Sequence, residues 1–190
     1  MDIGKGLSQS FDIFKENAGA LIVAALVALI VSCACFIIAG PVMAGFLVFC
    51  IKTMRGEKAE IGELFAHFDV FVPTLLLFLM IGVPLGILAL IPLLNILILL
   101  ILGPVAFMVS SFGILSIVQE NLSPVDAIKK GLALFQKNTV NNWLYGLVMY
   151  IISGICAFIT MPIGNIGMIL AYQELNGTDA TPSSNVTPTV

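Results

Sequence analysis

The stretch VFVPTLLLFLMIGVPLGILALIPLLNILILLILGPVAFMVSSFGILSIVQ, residues 70–119, holds no Asp, Glu, Lys, Arg or His in 50 positions. One membrane-spanning helix needs about 20 apolar residues, so this run suits an outbound helix, a turn and a return. Two further charge-free stretches, residues 17–51 and 138–173, lie on either side of it and are 35 and 36 residues long. A soluble domain of this size has no interior able to hide so much apolar chain. The chain is 59% hydrophobic and only 10% charged, with a mean hydropathy of +1.11, against about 25% charged residues in soluble domains. This excludes an ordinary water-soluble globule, and equally a disordered chain. Eight Lys and Arg against eleven Asp and Glu give a net charge of −3, so nucleic acid finds no basic footprint.

Every charged side chain falls in four short blocks, residues 1–16, 52–69, 120–137 and 174–190. If each apolar stretch enters the bilayer and returns, all four blocks lie on one face. That face carries every basic residue: Lys5, Lys15, Lys52, Arg55, Lys58, Lys129, Lys130 and Lys137. The positive-inside bias makes it cytoplasmic. The expected location is the cell membrane, multi-pass, with both termini in the cytoplasm. No cleavable signal peptide or lipidation pattern is expected, because the first apolar run is too long for a signal h-region and lacks a basic n-region with a following A-x-A site.

The blocks share a pattern. Phe11-Asp12-Ile13-Phe14 recurs as Phe68-Asp69-Val70-Phe71 and, more loosely, as Leu132-Ala133-Leu134-Phe135. Each closes an amphipathic segment with apolar residues at helical spacing. The stripes are Ile3, Leu7, Phe11 and Phe14; then Ile61, Leu64, Phe65, Phe68 and Phe71; then Val125, Ile128, Leu132 and Phe135. Ser123 followed by Pro124 marks an N-cap with proline in the first turn of the third segment. Phe11, Phe14, Phe68, Phe71 and Phe135 are the candidate interfacial anchors. Downstream come Gly40-Pro41-Val42, Gly103-Pro104-Val105 and Met161-Pro162-Ile163, with 27 residues from Phe14 to Pro41, 27 from Phe135 to Pro162 and 33 from Phe71 to Pro104.

These spacings predict an all-α polytopic membrane protein: six transmembrane helices in three helix-hairpin repeats (residues 3–57, 60–121 and 123–176), each preceded by an amphipathic interfacial helix. Residues 177–190, rich in Ser, Thr and Pro, read as a disordered tail after a single membrane domain over 1–176. Its sequons at Asn176 and Asn185, and another at Asn121, would face the cytoplasm unused. Turns are expected at Ser32-Cys33, Pro92 to Asn95 and Ser153-Gly154. Pro41, Pro104 and Pro162 would then sit inside the returning helices and kink them. The outbound helices of hairpins one and three then have only 15 residues, about 22 Å, against about 30 Å of hydrocarbon. Six crossings through a thinned bilayer is the expectation; hairpins that dip and return is the alternative.

Two blocks carry a resemblance. The first holds Gly40-Pro41-Val42-Met43-Ala44-Gly45, then Arg55-Gly56-Glu57-Lys58 and Gly62-Glu63-Leu64-Phe65. The second runs from Ser123-Pro124-Val125-Asp126-Ala127-Ile128 to Leu134-Phe135-Gln136-Lys137-Asn138. Both resemble small six-helix bacterial and archaeal membrane proteins related to the glycerophosphoryl diester phosphodiesterase membrane domain, over nearly the whole chain to Asn176. The resemblance implies a six-helix architecture and, for stand-alone members, no settled biochemical role. The catalytic barrel of the fused phosphodiesterases has no counterpart here.

Chemistry-bearing residues are sparse. His67 has no triad or ligand partners at suitable spacing, and Glu57, Glu60, Glu63 and Asp69 share a loop with Lys52, Arg55 and Lys58, which reads as a solvated, self-paired stretch. Cys33, Cys35, Cys50 and Cys156 lie in apolar runs and read as small hydrophobes. No catalytic residue, metal ligand or cofactor is expected, and no enzyme activity. Ionisable residues, the usual ion sites and proton relays of coupled transporters, are missing between the charged blocks. The uncharged polar residues there are Asn95, Ser110, Ser111, Ser116, Asn142, Thr160 and Asn165; Asn95 and Asn165 are the candidates for an intramembrane polar site. Ala20, Ala24 and Ala28 form a close-packing stripe, whereas Pro84 weakens the Gly82–Gly86 pair. The expected role is a non-enzymatic membrane component acting through membrane lipids, a membrane protein partner or a second copy, in membrane organisation. The alternative is small-solute or lipid permeation along a pseudo-threefold axis.

Overall fold

The computed structural model describes residues 3–34, 36–91, 95–96, 98–155 and 157–177. Cys35, Pro92, Cys156 and residues 178–190 of the expected tail lie outside them. Among the described residues there are eight α-helices and no strand. They are α1 (Ile3–Glu16), α2 (Ala18–Ala34), α3 (Ala39–Met54), α4 (Phe71–Ala89), α5 (Gly103–Glu120), α6 (Pro124–Gln136), α7 (Thr139–Ile155) and α8 (Ala157–Asn176). Two 3₁₀ turns, Ile61–Phe65 and Phe68–Val70, precede α4, and a π-helical turn, Ile98–Leu102, runs into α5.

The helices start and stop for local reasons. α1 and α2 meet at 96°, where Asn17 N–H bonds to Phe14 O and the Asn17 amide donates to Ile13 O. α3 closes with Gly56 at φ +71°, its N–H on Thr53 O and that of Glu57 on Lys52 O. This is the paired C-terminal bonding that favours glycine. Ser123 caps α6 as its sequence predicts, its hydroxyl accepting from Asp126 N–H at 3.3 Å and donating to Asp126 Oδ2 at 2.7 Å.

The core is built from the three helices that contain Pro41, Pro104 and Pro162. Phe46, Leu47 and Phe49 of α3, Met108, Phe112 and Leu115 of α5, and Ile166, Ile169 and Tyr172 of α8 have almost no exposed surface. Each of these helices packs on an amphipathic segment: α3 on Ile61–Phe65, α5 on α6, and α8 on α1. Glycines set the closest approaches. A Cβ on Gly45 would stand 2.5 Å from Leu64 O, and one on Gly131 3.1 Å from Val109 O. Leu21, Ala24, Ala25 and Ala28 of α2 are buried, so the expected small-residue stripe packs, although Ala20 is exposed.

Two segments are long and apolar enough to cross a membrane, Ile61–Ala89 with 29 residues and Ile98–Glu120 with 23; the bent α1–α2 pair is a third if it counts as one span. Most of the α4 surface is exposed and apolar, with Val72, Leu76, Leu79, Met80, Val83 and Ile87 outward, and Leu99 to Leu102 continue that surface. Gly82 and Gly86 face open space.

Several expectations need correcting. Ser32-Cys33 and Ser153-Gly154 are not turns, for α2 runs on to Ala34 and α7 to Ile155. Serine and cysteine are small enough to continue a helix through an apolar run, and neither breaks its backbone bonding as Gly-Pro would. The first turn falls later, so Pro41 is the third residue of α3. There its missing N–H is one of the four that never pair, and no kink arises. Pro104 is the second residue of α5 and coincides with the change from π to α register. Pro162 alone of the three lies inside its helix as expected, at the sixth position of α8, and Pro84 does the same in α4. The second amphipathic segment is not an α-helix but two 3₁₀ turns after an extended Glu60. It is too short to offset the cost of nucleating a helix, and it contains Gly62.

Candidate functional site

The amphipathic segments expose apolar side chains that none of the described residues covers. In α1 the buried face is Gly6, Ser10 and Phe14, and Phe11, 45% exposed, points away from it. In α6 the buried face is Ala127, Gly131, Leu134 and Phe135, leaving Val125 and Leu132 outside. Around the 3₁₀ turns Leu64 and Val70 are buried, with Ile61, Phe65 and Phe68 outward. The five candidate anchors therefore divide. Phe11 and Phe68 face outward, Phe71 is half-buried, and Phe14 and Phe135 belong to the core. In α1 and α6 the stripe that touches protein combines small residues with Phe14, Leu134 and Phe135, and the small ones let a short helix lie close against its neighbour.

Charged pairs tie these segments to the core helices. Lys52 at the end of α3 donates to Glu63 Oε1 at 2.6 Å. That bond holds the ammonium above the ordinary lysine value. Lys130 of α6 pairs with Glu120 at the end of α5. Tyr172 Oη donates to the same carboxylate oxygen at 2.7 Å and lies 3.0 Å from Ser116 Oγ. The Lys130 ammonium also sits 5.4 Å from the Tyr172 ring centre. Partial burial opposes its charge, but the bonds to Glu120 and Tyr172 outweigh that and raise its pKa. On Asp126 the Ser123 hydroxyl, opposed by slight desolvation and aided by Lys129, holds the carboxyl below its usual range. Sequence reading had no access to the Glu120–Lys130–Tyr172 cluster. Its members lie up to 52 residues apart, and only their position at segment ends could have marked them.

The two candidate polar residues are not brought together into one site. Asn95 lines a shallow apolar groove of about 420 Å³ with Ile96, Leu99, Leu100, Leu147, Tyr150 and Ile151. Asn165 is wholly buried in α8; its amide donates to Met161 O at 2.9 Å, and its Oδ1 has no hydrogen-bond partner among the described residues. Near Pro104, the Trp143 indole N–H donates to Ile101 O at 3.0 Å, a carbonyl in the π turn where regular helix bonding is interrupted.

A second groove, of about 550 Å³, opens between α1 and the α7–α8 hairpin. Leu7, Phe11, Ile152, Ile155 and Ile163 form its apolar walls, and Ser8, Asp12, Lys15 and Thr160 its polar edge.

No family model, curated protein or solved structure matches this chain. Its chemistry is legible only from its own geometry. His67 Nδ1 lies 4.0 Å from Asp69 Oδ1, while Glu63 is engaged by Lys52. Among the described residues no group of three or more His, Cys, Asp or Glu is placed to hold a metal ion. Cys50 is buried and Cys33 exposed. What the arrangement offers is a set of amphipathic surfaces, each with a protein-facing, an apolar outward and a charged side.

Proposed function

We propose that this is a multi-pass membrane protein with both termini in the cytoplasm that organises the bilayer around it and catalyses no reaction. The observation that carries it is the uncovered apolar face of each amphipathic segment, Phe11, Phe65 with Phe68, and Val125 with Leu132, beside charges. Such faces are stable when sunk into the headgroup–acyl boundary of one leaflet. The packing of α3, α5 and α8 each on an amphipathic segment supports a three-unit design. So does the resemblance of residues 40–65 and 123–138 to the six-helix membrane domain named above.

In place of six full crossings, the middle hairpin crosses and the outer two enter and turn back. Helices of 16 and 17 residues, as in α3 and in α2 and α7, measure about 25 Å, whereas the 20 residues of α8 reach about 30 Å, so in hairpin three it is α7 that falls short. Asp12 and Lys15 share a groove with Ile152, Ile155 and Thr160, beside the turn of hairpin three. A turn level with charged groups of α1 has not traversed the bilayer. Wedges on one face and short hairpins beside them thin and curve a membrane. Permeation along the bundle axis is the weaker alternative, because Phe46, Phe49, Phe112 and Tyr172 are packed in the core.

The test is labelling of Cys33 with a membrane-impermeant maleimide in intact cells, with a cysteine introduced near residue 185 as the cytoplasmic reference. Protection of Cys33 from outside, with the reference labelled only after permeabilisation, is expected. Rapid outside labelling of Cys33 would restore full crossing. Purified protein in liposomes should reduce vesicle diameter without solute leak; selective leak would favour the permeation reading.

A further inference from the structure

We propose that the groove between α1 and the α7–α8 hairpin holds a membrane phospholipid whose headgroup carries both a phosphate and a primary ammonium. This deepens the function proposed above and rests on it. The groove is lined along one side by Leu7 and Phe11 and along the other by Ile152, Ile155 and Ile163, with a volume near 550 Å³. Ligand pockets fall at about 300–1,000 Å³ and combine apolar walls with a few placed polar groups. An acyl chain satisfies the walls.

The edge selects the headgroup. Asp12 and Lys15 stand on it one turn apart, both exposed. They are close enough in sequence to pair, yet no ion pair joins them; the Lys15 ammonium lies instead 4.7 Å from the Phe11 ring centre. One anchored cation and one carboxylate thus flank the mouth of an apolar slot. A headgroup with a phosphate for Lys15 and an N–H-bearing cation for Asp12 complements both signs. A purely anionic headgroup leaves Asp12 facing like charge, and a quaternary ammonium has no N–H to donate to it.

The experiment is native mass spectrometry of the full chain released from micelles containing equal amounts of phosphatidylethanolamine, phosphatidylcholine and phosphatidylglycerol. One phosphatidylethanolamine should be retained in preference to the others. Asp12→Asn and Lys15→Gln should each weaken that retention by about three- to tenfold, the scale of one partly exposed charge-assisted hydrogen bond. Ile155→Trp, at a site 73% exposed, should fill the slot and displace the lipid while both charges remain. Equal retention of the three lipids, preference for phosphatidylglycerol, or retention unchanged in Asp12→Asn overturns the proposal. So does a concentration-dependent dimer that buries Ile155. Any of these leaves the membrane reading standing if Cys33 labelling is as expected; failure of the protein to enter liposomes removes both.

Discussion

Gly45 illustrates what a single position decides in this molecule. A Cβ there would come within 2.7 Å of Leu64 Cα and carbonyl carbon, and backbone cannot swing aside as a side chain can. Gly45→Ala should therefore cost about 1–3 kcal/mol, the usual range for overpacking, and lower the thermal midpoint in detergent micelles by several degrees. Gly82→Ala, with nothing within 4 Å, should leave the midpoint unchanged or raise it slightly. Equal effects at the two sites would show that α3 does not seat on the Ile61–Phe65 turn. Both glycines stand in apolar helical runs, and nothing local separates them. Their difference lies in what another part of the chain brings to them.

At the scale of elements, the prolines make the same point. Pro41, Pro104 and Pro162 look equivalent by spacing, yet one opens a helix, one sits at a π-to-α junction and one lies within a helix. Helix ends depend on where the chain can turn, and a shift of a few residues moves a proline from interior to first turn. The cap at Ser123 was readable because capping is local chemistry. The junction of α6 and α7 was not. There Asn142 Nδ2 donates to Leu134 O at 3.1 Å and to Phe135 O at 2.9 Å, while its Oδ1 lacks a partner among the described residues. The donors carry the function, so Asn142→Asp should be at least as destabilising as Asn142→Ala. Each should cost about 1–3 kcal/mol, the scale for losing buried hydrogen bonds at the junction, where Leu134 O keeps only the Lys137 N–H among the described residues. Thermal unfolding in micelles decides it: an Asn142→Asp variant as stable as the parent would mean that these bonds do not hold the junction.

The whole molecule is held at its charged ends by pairs between core helices and amphipathic segments, and these give it a pH range. Lys52 and Lys130 both titrate above the ordinary lysine value. Their stabilisation is complete below about 10.4 and is lost as pH rises through their raised values in the folded protein. Asp126 titrates below its ordinary value. Its contribution is present above about 3.9 and is lost as pH falls through its lowered value. The thermal midpoint should accordingly form a plateau between these limits and fall on both sides, with Lys130→Met softening the alkaline fall and Ser123→Ala the acid one. A midpoint that declines steadily between about pH 6 and 8 would contradict this account.

Composition and charge placement alone determined that the chain is helical and holds runs apolar enough to cross a membrane, because three uncharged runs of 35, 50 and 36 residues are more than the interior of a water-soluble domain of 190 residues ordinarily holds. They also located the amphipathic segments and the Ser123 cap, since hydrophobic period and capping act within a few residues. Tertiary structure alone decided which face of each segment meets protein. In α1 and α6 the small residues Gly6, Ser10, Ala127 and Gly131 turn inward and Phe11, Val125 and Leu132 turn out. Hydrophobicity ranks side chains by their transfer from water, but the contact between two helices is chosen by how closely their backbones can approach. That depends on the partner surface, which only the folded chain supplies.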